Sequence, residues 1–176
     1  MEAMVYRKDL LDYLQSTLKP ELFQDYGPNG LQVEGAEVVR KIIVGVTANK
    51  ALIQKAIESK ADTLLVHHGI FWKNTPAPII GVQYQRIKAL MDYNINLIAY
   101  HLPLDAHQTL GNHVQLAEKL GIKIEQFLDL ENQPGLVVKG SIGQHTPQVF
   151  VRNVENVLQR KPLYISGVNP NITQIA

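Results

Sequence analysis

The sequence predicts an α/β protein built on a mainly parallel sheet with helices on both faces. Two observations carry this. Three apolar, β-favouring runs, Lys41–Val46, Thr63–His67 and Asn96–Tyr100, alternate with two segments of helical period, Lys50–Lys60 and Val82–Tyr93. Strands separated by helices in this way are joined by crossovers and therefore pair in parallel. The second and third runs also end in histidine, as VHHG at Val66–Gly69 and HLPLDAH at His101–His107. In open α/β sheets, ligands bind outside the carboxyl ends of the strands.

In chain order, Arg7–Leu18 sets Leu10, Leu11, Leu14 and Leu18 on one helical face, and Pro20 discourages continuation. Phe23–Gly35 (FQDYGPNGLQVEG) has turn chemistry at Gly27-Pro28-Asn29-Gly30 and reads as a surface loop. Asn49 is placed to cap the helix that follows it. Asn74–Ile80, with Pro76 and Pro78, is a loop. Val82–Tyr93 carries Ile87, Leu90 and Met91 on its apolar side. Asn112 is expected to cap His113–Leu120, which Gly121 ends in the left-handed conformation. Ile122–Phe127 reads as a short strand. After Asp129 the pattern restarts: Leu136–Val138 is apolar, Thr146 and Pro147 open a helix to about Arg160, and Leu163–Ser166 and Ile172–Ala176 read as strands. The division expected is a metal-site lobe over 1–128 and the start of a second α/β lobe over 129–176. The last strand has no terminating turn, so the fold is expected to continue past Ala176.

A chain of 176 residues can bury a substantial core. With 45% hydrophobic and 19% charged residues it has the composition of a globular protein. The absence of cysteine excludes disulfides, thiolate metal sites and cysteine nucleophiles. A formal net charge of +1 without blocks of like charge gives no expectation of a nucleic-acid partner. No apolar run approaches the roughly 20 residues of a membrane span, and the amino terminus lacks the apolar core of a signal peptide. A cytoplasmic protein is expected. Neither a phosphate-binding glycine loop nor a GxSxG elbow is present.

Adjacent strand residues face opposite sides of a sheet. His67 and His68 can therefore converge only if the backbone bends, and Gly69 is expected to permit the bend. Splayed so, each imidazole can serve a different metal ion while a carboxylate such as Asp105 bridges both. Histidine with carboxylate suits Zn, Mn, Fe or Ni rather than Ca or Mg. Two ions about 3.5–4 Å apart can activate water and clamp a displacement. Blander readings stand beside this one. The histidine pair could be hydrogen-bonded core, and Asp105 could be a turn cap. His113 and His145 sit beside capping positions and read as surface residues, and His107 is undecided. Phe71 and Trp72 are expected to close the strand end against solvent.

Asn29–Gly35 (NGLQVEG), Val44–Ala48 (VGVTA), Val66–Lys73 (VHHGIFWK), His101–His107 and Gly111–Gly121 (GNHVQLAEKLG) resemble, in order, the motifs of the NGG-interacting-factor-three-like family, also known as GTP cyclohydrolase 1 type 2 homologues. The forms DYGPNGLQVEG and HHGIFWK resemble the shorter bacterial members. The resemblance implies a dinuclear centre of two divalent ions, with His67 and His68 as ligands to different ions and Asp105 as a carboxylate ligand. It also implies a homohexamer. His101 would line the centre, where it could act as catalytic acid or base. The family's remaining ligands, an HxxxE pair, lie on the order of 70 residues further on, about half a typical domain, and no such pair follows here. Metal occupancy is accordingly expected to be partial or absent in this chain. The function implied is a metal-dependent hydrolase acting on a small nucleotide-like or cyclic amide substrate. The alternative is a non-catalytic regulatory or protein-binding module with a structural metal site.

Overall fold

The computed structural model describes residues 4–131 and 133–176. Two compact units result, the first ending at Leu104 and the second running Asp105–Ala176. The first contains β1 (Val5–Tyr6), α1 (Arg7–Leu18), a 3-10 turn at Pro20–Leu22, β2 (Gly30–Val33), β3 (Val38–Val39), β4 (Ile42–Thr47), α2 (Lys50–Glu58), β5 (Thr63–His68), α3 (Gly81–Asp92) and β6 (Asn96–Ala99). A short helix, α4 (Leu102–Asp105), carries the chain into the second unit.

The main sheet has the order β2-β6-β5-β4. β4, β5 and β6 are parallel, as the alternation of runs predicts, and β2 adds antiparallel to β6. Gly30–Val33, read from its turn residues as surface loop, is thus an edge strand. β1 and β3 form a separate antiparallel ribbon.

Alternation along the strands sorts side chains to two faces. Leu64, Val66, Leu97 and Ala99 meet Ile53 and Ala56 of α2 and Ile87 and Leu90 of α3. Ile98 and Tyr100 meet Leu10, Leu11, Leu14 and Leu18 of α1, with Leu31 and Leu65 beside them. Crossovers that step the same way across a sheet place their helices on one face, which is why α2 and α3 share a side and α1 takes the other. Leu64, Leu90, Leu97 and Ile98 are fully buried, each worth about 1.5–3 kcal/mol in transfer free energy. β4 is an edge strand, and its Val44 and Val46 are 72% and 67% exposed.

The amino end of the sheet is fastened by a buried amide. Asn96 is fully buried. Its Nδ2 donates to the carbonyl of Ala36 at 2.8 Å and to Asp62 O and Thr63 Oγ1, each at 3.2 Å. Its Oδ1 accepts from Gly35 N at 2.8 Å and from Arg7 Nη1 at 3.4 Å. A Cβ at Gly35 would lie 2.4 Å from the carbonyl carbon of Ile95, so only glycine admits this approach.

The second unit is of another kind. It contains α5 (Asn112–Leu120), β7 (Lys123–Leu130), β8 (Gln133–His145), α6 (Pro147–Leu158) and β9 (Ile172–Ile175). Its strands form an antiparallel sheet β7-β8-β9. A boundary after residue 128 would fall inside β7, whose Leu128 and Leu130 pair with Val137 and Gln133 of β8. β8 extends far past the apolar Leu136–Val138 because Lys139, Gly140 and Ser141 pair by backbone while lacking β-favouring side chains. Leu163–Ser166 forms no strand, and Leu163 and Ile165 are 89% and 81% exposed. Thr146 caps α6 as expected, accepting from Val149 N, and Gly121 ends α5 at φ 73°. The cap of α5 is Gly111 rather than Asn112, whose side chain turns elsewhere. Among the described residues, no helix is long and apolar enough to cross a membrane.

Replacing Asn96 by alanine removes this junction and strands the Gly35 N–H, while the Ala36 carbonyl keeps only Arg7 Nη1 at 3.4 Å. With net contributions of about 0.5–1.5 kcal/mol per hydrogen bond and a further penalty for stranded buried groups, Asn96→Ala should lower the urea unfolding free energy by about 3 kcal/mol. A loss below about 1 kcal/mol would show that the amide does not fasten the sheet.

Candidate metal centre

The carboxyl edge of the parallel strands gathers three histidines. β5 ends at His68, which stands opposite Thr47 of β4 in the parallel register. Its Nδ1 lies 3.0 Å from Thr47 Oγ1. His67 leans the other way, with Nδ1 3.1 Å from the carbonyl oxygen of Tyr100 at the end of β6. A carbonyl only accepts, so His67 Nδ1 carries the proton and the lone pair sits on Nε2. His101 follows directly, with Nδ1 2.7 Å from Asp25 Oδ1. The ring centroids are 4.5 Å apart for His67 and His68, 4.8 Å for His67 and His101, and 5.5 Å for His68 and His101. One nitrogen from each of the three rings lies within 4.8 Å of the others.

The histidine pair converges, but Gly69 does so little by bending. It is absent from the glycines of positive φ, which among the described residues are Gly30, Gly81, Gly121 and Gly135. What it supplies is space: a Cβ there would sit 2.1 Å from Gln32 Oε1. That oxygen accepts from Ile70 N at 2.8 Å, and Gln32 Nε2 donates to Pro28 O at 2.8 Å. Gln32 of β2 thereby clamps the segment after the histidine pair to the Gly27–Gly30 turn.

That turn region is a wall of the site. The Tyr26 carbonyl accepts from Lys73 N at 2.6 Å, and a Cβ at Gly27 would be 2.5 Å from the Phe71 carbonyl oxygen. Its central group is the Asp25 side chain, only 3% exposed. Asp25 Oδ1 accepts from His101 Nδ1 and, at 2.6 Å, from Tyr26 N. Oδ2 accepts from Asn29 Nδ2 and from Leu102 N, each at 2.9 Å. Burial alone would raise the Asp25 pKa, but the hydrogen bonds from His101, Asn29, Leu102 and Tyr26 outweigh it and hold the carboxyl below its ordinary value. Sequence composition marks this stretch only as loop. The one available signal is an aspartate four residues ahead of an asparagine in a turn otherwise made of glycine and proline.

Trp72 stands with its ring centroid 5.3 Å from that of His101, edge to face, and 5.8 Å from that of His68. It closes the strand end as expected, held by its N–H to Thr75 Oγ1 at 3.1 Å. Beside His67, His101, Asn29, Gln32 and Trp72 lies a cavity of about 10 Å³, the size of a single water.

The other sequence candidates have local partners of their own. Asp105 ends α4, the turn that follows His101, and its Oδ1 accepts from Asn112 Nδ2 at 2.6 Å. His107 Nδ1 accepts from Thr109 N and Leu110 N at 3.2 and 3.1 Å, a turn-capping role. His145 pairs with Ile172 in the second sheet. His113 is half-buried and lines an apolar cavity of about 360 Å³ with Leu116, Phe150 and Ile175.

The donor set fits a divalent transition metal. Three imidazoles match the protein ligand count of a catalytic zinc site. Two nitrogens bound to one ion at about 2.0–2.1 Å can be no more than about 4 Å apart, so a movement of about 1 Å would gather the widest pair. Each ring is fixed through Nδ1 by a carbonyl, a hydroxyl or a carboxylate, the outer contacts that orient metal-binding histidines.

A parallel sheet whose carboxyl edge carries such a group defines an α/β protein with three histidines that could hold a metal ion. The family model described as Duf34/NIF3 (NGG1p interacting factor 3) matches residues 5–176. A GTP cyclohydrolase 1 type 2 homolog of Neisseria meningitidis serogroup A is 48% identical over 174 residues, which is 98% of this chain and 69% of that protein. One from Chlamydia trachomatis is 56% identical over 153 residues, 86% of this chain and 60% of that protein. Among solved structures, protein ybgI superposes with a TM-score of 0.90 at 38% identity, over 97% of this chain and 68% of its own. A protein of Thermus thermophilus gives 0.83 at 35%, over 96% and 68%. The chain belongs to the Duf34/NIF3 family, and it spans 60% to 69% of the length of these relatives.

The depressed Asp25 pKa makes a prediction about acid stability. An unfolded aspartate titrates near about 3.9. The folded value is lower, so between the two the unfolded state binds more protons and stability rises with pH. The contribution is complete above the unfolded value and is lost as pH falls through the folded one. Asp25→Asn should therefore be less stable than the wild type at neutral pH and should show a shallower decline below about pH 4. Parallel acid limbs for the two proteins in urea titrations would contradict the placement of this charge.

Proposed function

We propose that this protein is a divalent-metal-binding hydrolase acting on a small nucleotide-like or cyclic amide substrate. The observation that carries the reading is the group of three imidazoles, one nitrogen of each within 4.8 Å of the others, at the carboxyl edge of a parallel sheet. His67 and His68 would hold the metal, and Asp105 would join them as a carboxylate ligand to both ions, the role that the motif resemblance implies. Divalent ions of the Zn, Mn, Fe or Ni type supply Lewis-acid polarisation and lower the pKa of bound water.

The chain's own residues do the rest. His67 is oriented by the Tyr100 carbonyl and His68 by the Thr47 hydroxyl. His101 is the catalytic acid or base: with Nδ1 donating to Asp25, Nε2 is the atom that takes and returns a proton. Trp72 screens this edge of His101 from water. The name of the Neisseria and Chlamydia relatives, GTP cyclohydrolase 1 type 2 homolog, supports a ring-bearing nucleotide as the first substrate to try. The water-sized cavity beside the rings means that a substrate lies over the cluster rather than within it. The protein is further proposed to work in the cytoplasm as a homo-oligomer, a hexamer by family resemblance, and the exposed Val44 and Val46 of β4 support self-association.

Metal stoichiometry after dialysis against a weak chelator tests the assignment. Asp105→Ala should lower the occupancy of both ions, because two neighbouring cations repel strongly without an anion between them. His68→Ala should chiefly empty one. His107→Ala, whose ring caps a turn, should match the wild type. Equal losses for Asp105→Ala and His107→Ala would show the wrong residues have been chosen. Full occupancy with no turnover of guanine nucleotides or cyclic amides would instead favour a regulatory module with a structural metal.

A further inference from the structure

The group that fixes His101 lies in a stretch with no metal-ligating or catalytic signature. Asp25 receives four hydrogen bonds, and every donor is an N–H: the His101 ring, the Asn29 amide, and the backbone of Tyr26 and Leu102. Two fall on each oxygen. Only an ionised carboxylate accepts at all four, since an asparagine in either orientation would turn an NH₂ group against two donors. Asn29 cannot flip to relieve the conflict without loss, because its Oδ1 accepts from the His101 backbone N at 2.8 Å. Asp25 and Asn29 thus hold both the main chain and the ring of His101. The Trp72 ring stands perpendicular to the same ring, with centroids 5.3 Å apart.

We propose that Asp25 is the positioning residue for His101. Its carboxylate keeps the ring proton on Nδ1 and so leaves the lone pair on Nε2, at the side of the ring away from Asp25. A histidine with the opposite tautomer would present an N–H where the proposed reaction needs an acceptor. The functional meaning of this rests on the proposed metal-dependent hydrolase, but the tautomer itself does not.

Long-range proton–nitrogen NMR on the full chain, labelled with ¹⁵N-histidine and kept metal-free above the ordinary imidazole titration range, reads the tautomer directly. The wild type should show His101 as the Nδ1–H form. In Asp25→Asn the ratio of Nδ1–H to Nε2–H should fall by at least about tenfold, as expected from losing a hydrogen bond to a charged acceptor. A His101 found as Nε2–H in the wild type overturns the proposal, and this needs no variant to fold. An unchanged ratio in a folded Asp25→Asn overturns it as well. His67, whose Nδ1 is held by the Tyr100 carbonyl, should keep its tautomer in both proteins and serves as the internal control. The two readings separate cleanly. A wild type that binds no Zn²⁺ but shows Nδ1–H at His101, lost in Asp25→Asn, refutes the metal reading and supports the role of Asp25.

Discussion

One carboxylate organises the site. Asp25 lies in a loop that composition alone assigns to the surface, yet its side chain is almost wholly buried and takes hydrogen bonds from both sides of the junction it closes. Through Leu102 N it fastens the start of α4, and through His101 it fixes a ring that stacks near two others. Burying a charge is costly unless hydrogen bonds replace its lost hydration. Here they do, and the depressed pKa of the group reflects the balance. Without that anion the loop would keep its contacts through Tyr26, Pro28 and Asn29, but the His101 ring would lose the partner that orients it.

The sheet makes this arrangement possible by its direction. β4, β5 and β6 run in parallel, so their carboxyl ends come to one edge and deliver Thr47, the histidine pair, Tyr100 and His101 together. His67 turns toward β6 and His68 toward β4, each finding an acceptor or hydroxyl on the neighbouring strand. The opposition imposed by the pleat is overcome by side chains that lean along the edge rather than by backbone distortion. At the other end, the Asn96 amide ties Gly35 and Ala36 to the starts of β5 and β6. The two ends depend on different chemistry: a neutral buried amide fixes the register, and a buried charge fixes the site.

Much of the first unit was legible in the sequence because its signals are strong and local. The run into VHHG, the leucine spacing of α1 and the cap at Asn49 each point to one structure, and they form it. The edge strand β2 was hidden because Gly30 and Gln32 weaken the apolar pattern, while Gly27 and Pro28 advertise a turn. The role of Gly69 was legible as a need for glycine but not as to cause, since a close approach by Gln32 leaves no mark in local sequence. Asp25 was invisible for the same reason: its partners lie at Asn29, His101 and Leu102, and only the fold brings them near. In the second unit, β8 was underestimated because Lys139–Ser141 pairs through its backbone, and Leu163–Ser166 shows that apolar side chains without a neighbouring strand do not make one.

The central claim is that the histidine cluster at the sheet edge holds divalent metal. Anomalous diffraction from crystals of the protein grown with Zn²⁺ or Mn²⁺, collected on both sides of the metal absorption edge, tests it most directly. The account predicts an anomalous peak within bonding distance of Nε2 of His67 or His68, with the Asp25–His101 hydrogen bond intact beside it. Metal found only at surface carboxylates, or at His107, His113 or His145 with the cluster empty, would contradict it.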